Sequence, residues 1–227
     1  LIAAYLYLYQ TLMRTASARN SQIVSHPEGE PTQPPAAPAN DATPCAKISC
    51  TQTARTPVDC GHLPFLIKRD GAWLYRGSPI TRKPMVCLFS TILKRDEDGK
   101  YLLESPAERG FIDVEDAPFI AVELDWSGHG KTQTLCFRTN TDQCITAGPE
   151  HPIRIAHDLL TCEPTPYLHI RDGKGRFPVE ARINRATYYE LVALAEPGTM
   201  HGRPVLGVWS EGAFFSLGDL PAGCGKK

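Results

Sequence analysis

From Cys60 to Leu217 the chain is a succession of short apolar runs cut by glycine-centred turns, and only two stretches carry a helical period. Short turns join neighbouring strands antiparallel, whereas parallel strands need long crossovers. A chain punctuated this way is expected to build mostly antiparallel sheets with a few packed helices, an α+β body. Phe65–Ile67, Ala72–Arg76, Tyr101–Glu104, Phe111–Val114, Phe119–Asp125, Thr134–Arg138, Ile153–Ile155 and Tyr167–Arg171 read as strands, and Val205–Trp209 with Ala213–Leu217 as a last hairpin. Turns fall at Arg69-Asp70-Gly71, Asp96-Glu97-Asp98-Gly99 and Ser127-Gly128-His129-Gly130. The first helix is expected to start at Thr81 as N-cap, with Pro84 in its first turn and Met85, Leu88, Phe89, Ile92 and Leu93 on one face. The second is expected from Asn184 through Tyr188, Leu191, Val192 and Ala195.

The two helices head similar segments. Aligned without gaps, residues 80–112 and 183–215 are identical in seven of 33 columns, among them Leu88/Leu191, Gly99/Gly202 and Phe111/Phe214. Roughly two matches are expected by chance at ordinary composition. Helix face aligns with helix face and turn glycine with turn glycine, and an Arg-Asp-Gly turn precedes each segment, at 69–71 and at 171–173. This pattern implies a duplicated strand–helix–hairpin unit. The domain reading is an apolar leader and Pro-rich linker over 1–58, a first unit over 59–128, a second over 129–220 and a tail over 221–227.

The N-terminal arm differs in kind. Leu1 to Met13 is mostly apolar, and Ala16-Ser17-Ala18 resembles a signal-peptidase site, but no basic leader precedes the run. A truncated chain or a misplaced start is the favoured reading, with export as the alternative. From Ser25 to Pro57, prolines alternate with small polar residues and large apolar ones almost vanish, so this arm is expected to be disordered.

Charge narrows the partners. The 24 Lys+Arg nearly cancel the 25 Asp+Glu, leaving no basic stripe to neutralise phosphates, which argues against nucleic acid. The apolar leader is shorter than a membrane span requires. None of the eight cysteines sits in C-x-x-C spacing. Cys87 and Cys136 fall in apolar patterns and read as small buried hydrophobes. Reduced thiols and a cytoplasmic body are expected.

Few motifs point to chemistry. Gly130-Lys131-Thr132 has the ending of a phosphate-binding loop, but Asp125 stands where such a loop needs glycine, and no helix follows. His151, His157 and His169 lie near Cys162 without ligand spacing, so neither metal nor cofactor is expected. Ser78 reads as a turn serine, and Trp73, Trp209, Phe214 and Phe215 as core aromatics. The polar residues that stand out are at strand ends. Glu115 and Asp116 close one strand before the Ala117-Pro118 kink. Arg138-Thr139-Asn140 closes another, and Arg76 a third. A hairpin turning at 127–130 would bring Thr139 level with Ala117, so Arg138 is expected to clamp Glu115 or Asp116, with Asn140 and Arg76 nearby.

Taken together, several stretches resemble one known family. They include Asp70-Gly71-Ala72-Trp73, Arg76-Gly77-Ser78-Pro79-Ile80, Val114-Glu115-Asp116-Ala117-Pro118-Phe119, Gly148-Pro149-Glu150-His151-Pro152 and Gly207-Val208-Trp209-Ser210. In this order they are similar to the bacterial family of domain of unknown function 1285, over about residues 60–217. The segment after Cys60-Gly61 departs from the family, which is usually more polar and acidic there. The resemblance implies a two-part α/β architecture with a repeated motif and no catalytic residues; a part in signalling or ligand sensing has only been suggested. The resulting expectation is a non-enzymatic binding or sensor module, with a small polar ligand or a protein partner in the cleft between two units. Its candidate ligand residues are Arg76, Glu115, Asp116, Arg138 and Asn140. The rival is a hydrolase with Glu108 or Asp116 as acid or base.

Overall fold

The computed structural model describes residues 56–157 and 163–220. The apolar leader, nearly all of the Pro-rich arm, and Cys45, Cys50, Cys162 and Cys224 lie outside them. The described residues form three sheets and two α-helices. The first sheet takes β1 (Val58–Ile67), β2 (Trp73–Tyr75), β3 (Ser78–Pro79), β4 (Leu93–Arg95), β5 (Tyr101–Glu104) and β6 (Glu108–Val114), in the order β3-β2-β1-β6-β5-β4. Helix α1 (Lys83–Thr91) links β3 to β4. The second sheet takes β7 (Phe119–Ser127), β8 (Thr134–Thr139), β9 (Cys144–Thr146), β10 (Ile153–His157), β11 (Pro164–Arg171) and β12 (Val179–Ile183), in the order β10-β11-β12-β7-β8-β9. Helix α2 (Arg185–Ala193) then leads into a three-stranded meander of β13 (Glu196–Met200), β14 (Arg203–Ser210) and β15 (Ala213–Asp219). Every ladder is antiparallel except β1–β6 and β12–β7.

The architecture is thus mainly β, with mixed sheets, rather than a pair of strand–helix–hairpin units. The helix-and-three-strands order does recur, as α1-β4-β5-β6 and α2-β13-β14-β15. The first meander joins β1 through the parallel β6 ladder, while the second stands as its own sheet. Change of sheet comes at residues 115–118, whereas the position 128/129 used to divide the sequence lies in the turn between β7 and β8.

Local chemistry explains the hairpins. Arg76-Gly77, His201-Gly202 and Glu211-Gly212 each form a two-residue loop with both φ angles between 48° and 79°. That is the type I′ geometry whose twist matches the flanking strands, and glycine supplies its second position without a Cβ clash. The helix starts differ. Asn184 caps α2 as expected, its side chain accepting from the Thr187 amide at 2.8 Å. The N-cap of α1 is Arg82, which makes no side-chain cap bond, so Thr81 lies one residue too early. Leu88, expected on the buried face, is 43% exposed.

The core is continuous. Phe65, Trp73 and Phe89 form its aromatic end, with Phe65 and Phe89 edge to face at 5.2 Å. Phe119, Phe137, Leu168, Ile183 and Leu191 fill the other side. Each such side chain contributes about 1.5–3 kcal/mol by leaving water. Ser210 stitches the meander to the second sheet: its buried hydroxyl donates to the Ala147 carbonyl at 2.6 Å and accepts from the Leu135 amide at 2.9 Å. Cys60, Cys87, Cys136 and Cys144 are unpaired thiols. Burial, first, raises the pKa of Cys136. No helix among the described residues is long and apolar enough to cross a membrane.

Candidate functional site

The segment between the sheets carries a carboxylate with three partners, Asp116. Pro118 and Ala117 are buried, which fixes the kink and leaves Glu115 and Asp116 at the end of the first sheet. Glu115 faces the first Arg-Asp-Gly turn and accepts the Arg69 amide at 2.8 Å. Asp116 points the other way, 14% exposed. Its Oδ1 accepts from the Tyr167 hydroxyl at 2.7 Å. Its Oδ2 lies 3.6 Å from Arg182 and 3.8 Å from Arg69.

Sheet register sets the rest. Arg154, Tyr167 and Arg182 are opposite one another on β10, β11 and β12, so their side chains share one face. The Arg154 guanidinium lies 4.6 Å from the Tyr167 ring centre and grips Glu180 through two bonds of 2.8 and 2.7 Å. Glu180 first, through these bonds, raises the Arg154 pKa. Tyr167 is held as a proton donor: burial, then the Asp116 carboxylate, pushes its pKa from 10.0 up to about 12. The result is an unbroken chain from Glu180 through Arg154, Tyr167 and Asp116 to Arg182 and Arg69.

Beside this chain opens a cleft of about 500 Å³. Arg69 and Asp116 enter it from the first sheet's end, and Tyr167, Arg182, Arg185 and Tyr188 from the second sheet and α2. Arg185 donates through Nε to the Tyr189 hydroxyl at 2.9 Å on the rim. Three guanidiniums thus face the carboxylates of Asp116 and Glu163, among tyrosine rings. Such a wall can grip an anionic group bidentately while Asp116 accepts from a donor on the same molecule. Glu115 lines a shallower hollow next door, which shares Arg69 and Arg182.

The residues singled out from sequence separate into two sets. Glu115 and Asp116 lie at a sheet end, as expected, but they line different hollows and Arg138 is not their partner. It binds Glu123 through both Nε and Nη2, and Asp142 at 3.1 Å. The register explains the error. A 3-10 turn over Gly130–Thr132 lengthens the β7–β8 connection, and Thr139 lies opposite Ala121 instead of Ala117. Four residues of slip carry Arg138 about 13 Å along the strand, given the rise per residue. Asn140 is a strut: its side chain accepts from the Ile120 amide at 3.1 Å and donates to the Gly71 carbonyl at 3.4 Å. Arg76 sits in the β2–β3 turn, 5.4 Å from the Tyr75 ring centre. Glu108 opens β6 opposite Val58 and does not line the cleft. Sequence reasoning missed Arg154, Tyr167, Glu180, Arg182 and Arg185 as site residues. The available signal was the alternation of charge with Val179, Ala181 and Ile183, which marks a strand with one polar face.

Comparisons place the chain. The model for the DUF1285 N-terminal domain, a domain of unknown function, matches residues 53–117, and that for the DUF1285 C-terminal domain matches 118–217. A DUF1285 family protein of known structure from Silicibacter pomeroyi is 42% identical, with a TM-score of 0.65 over 73% of this chain and 85% of that one. Another, from Shewanella baltica, is 23% identical, with a TM-score of 0.43 over 58% of this chain and 91% of that one. No curated protein matches. Both halves of the pattern, in order and joined at the kink that carries Asp116, make this chain a member of the DUF1285 family.

Proposed function

We propose that this protein is a non-enzymatic binding or sensor module, and that it takes a small polar ligand with an anionic group in the cleft beside Asp116. The observation that carries this reading is the convergence of Arg69, Arg182 and Arg185 on one cleft of ligand size. Arg182 is only loosely held by Asp116, at 3.6 Å, so an incoming carboxylate or phosphate group can take its fork directly. Tyr188 and Tyr189 offer flat walls for the remainder of the molecule. Of the residues expected from the sequence, Asp116 lines the cleft and Glu115 the hollow beside it, while Arg76, Arg138 and Asn140 line neither. A sensing role follows from where the walls come from. Arg69 and Asp116 belong to one sheet's end and the other residues to the second sheet and α2, so a ligand spanning them holds the two parts in one arrangement.

The test is a thermal-shift screen of the full chain against small organic anions, run beside Arg182→Ala and Arg185→Ala. A ligand of the native state raises the melting temperature by mass action. A compound that stabilises the wild type and neither variant supports the reading. Compounds that shift all three proteins alike, or none at all, overturn it.

A further inference from the structure

A second cavity, of about 440 Å³, opens on the other side of Arg154 and shares no lining residue with the cleft. Its wall carries Arg95, Arg154, Arg176 and His169 against a single carboxylate, Glu180. Arg154 already occupies that carboxylate with two bonds. Arg95 and Arg176 have no carboxylate within 4.0 Å among the described residues.

Arg95 is nonetheless held firmly. Its Nε donates to the Gly99 carbonyl at 2.9 Å and its Nη1 to the Pro178 carbonyl at 2.8 Å, which leaves Nη2 for another partner. The guanidinium lies 4.8 Å from the Tyr101 ring centre and 5.4 Å from that of Phe177. Phe177 also takes Arg176, at 5.1 Å. The ring itself is pinned against Gly99, where a side-chain carbon would come within 3.3 Å of it. Two unneutralised guanidiniums are therefore gathered on one fixed ring at a cavity wall. Both guanidiniums line the same cavity, so an anion bound in it is attracted by both.

The geometry points to an oxyanion-binding site here, separate from the cleft, that takes a compact anion of the phosphate type at the wall carrying Arg95 and Arg176. Charge selects the sign, because three guanidiniums outnumber the Glu180 carboxylate and the Asp172 carboxylate that pairs with His169 at 3.1 Å. Donor geometry selects the class, since the Arg176 fork matches a tetrahedral oxyanion along paired bonds and Arg95 Nη2 can add a further one.

The experiment titrates the full chain with inorganic phosphate at constant ionic strength, balanced with sodium chloride, and follows melting temperature and the phosphorus resonance of the ion. The wild type should show a saturable rise in melting temperature with broadening of the resonance. Arg176→Ala alters an exposed side chain and leaves the fold intact, and it should weaken the apparent affinity by about tenfold or more, the scale of a lost charge-assisted pair. Arg138→Ala, at a residue that lines neither cavity, should leave the phosphate response unchanged. A response that survives Arg176→Ala but is lost in Arg182→Ala would place the ion in the cleft and overturn this assignment, leaving the cleft reading standing. An unsaturable response, matched by sodium chloride alone, overturns it as well.

Discussion

The same tripeptide, Arg-Asp-Gly, follows β1 and ends β11, and the two copies do opposite things. Arg69 lies two residues beyond the end of β1, and its side chain is 68% exposed at the mouth of the cleft. Arg171 is the last residue of β11, past an irregularity between His169 and itself. That irregularity turns its side chain into the first half of the molecule. There its Nη2 donates to the Ser90 carbonyl at 2.6 Å and the Leu93 carbonyl at 2.9 Å, closing the end of α1. Burial lowers the pKa of Arg171, the cost of placing a cation there. One copy is thus presented to solvent and the other built into the frame. Two residues of strand length decide which.

Substitutions put numbers on this contrast. Arg171→Ala should have the largest effect, about 3 kcal/mol of lost stability, because the Ser90 carbonyl in the last turn of α1 and the Leu93 carbonyl at the start of β4 both lose a charged donor. Urea denaturation measures it, and a loss under about 1 kcal/mol would erase the distinction between the copies. Tyr167→Phe comes next. It removes the donor that fixes Asp116, the acceptor Arg69 faces, and should cost about 1 kcal/mol at neutral pH. Alkaline pH sharpens the point. The folded-state pKa of Tyr167 is raised from 10.0 to about 12, so the folded protein holds this proton more tightly than the unfolded chain does. The associated stability is complete below about pH 10 and is lost as pH rises through about 12. Wild type and Tyr167→Phe should therefore converge in stability over that interval, followed by denaturation at stepped pH; a constant gap would mean the hydroxyl does not anchor Asp116. Arg69→Ala should be the mildest, under about 0.5 kcal/mol, as an exposed, long ion pair contributes little. On the proposed function, its effect should appear instead as a smaller thermal shift with any organic anion that stabilises the wild type.

Much of the fold was legible because its signals are local. Asp96 to Gly99 form the β4–β5 turn, and Tyr101–Glu104 is a strand to the residue. Asn184 caps its helix because the cap needs only the Thr187 amide three residues on. The site was legible only in part. Glu115 and Asp116 stand out at a kink that Pro118 marks in the sequence. Arg182 reaches Asp116 only because β12 lies parallel to β7, a pairing that no short turn announces. Arg138 was misplaced by a turn that holds one more bend, over Gly130–Thr132, than its glycines indicate. The helix-and-meander repeat told the order of elements but not their docking, since edge pairing between distant strands decides whether a meander joins a sheet.

The seam between β12 and β7 rests on three opposed pairs, Ala181 with Phe119, Arg182 with Ile120 and Ile183 with Ala121. Its partners are separated by roughly sixty residues, and closing such a span is slow compared with forming a hairpin. During synthesis all six strands of the first sheet have emerged by Val114, long before β12 exists. The residues of the cleft's first wall, Arg69 and Asp116, are therefore synthesised well before those of its second. A ligand that binds there has no grip on the early collapse of the chain. A molecule bound to the finished cleft would favour the docked arrangement by mass action, holding together two walls made at different times.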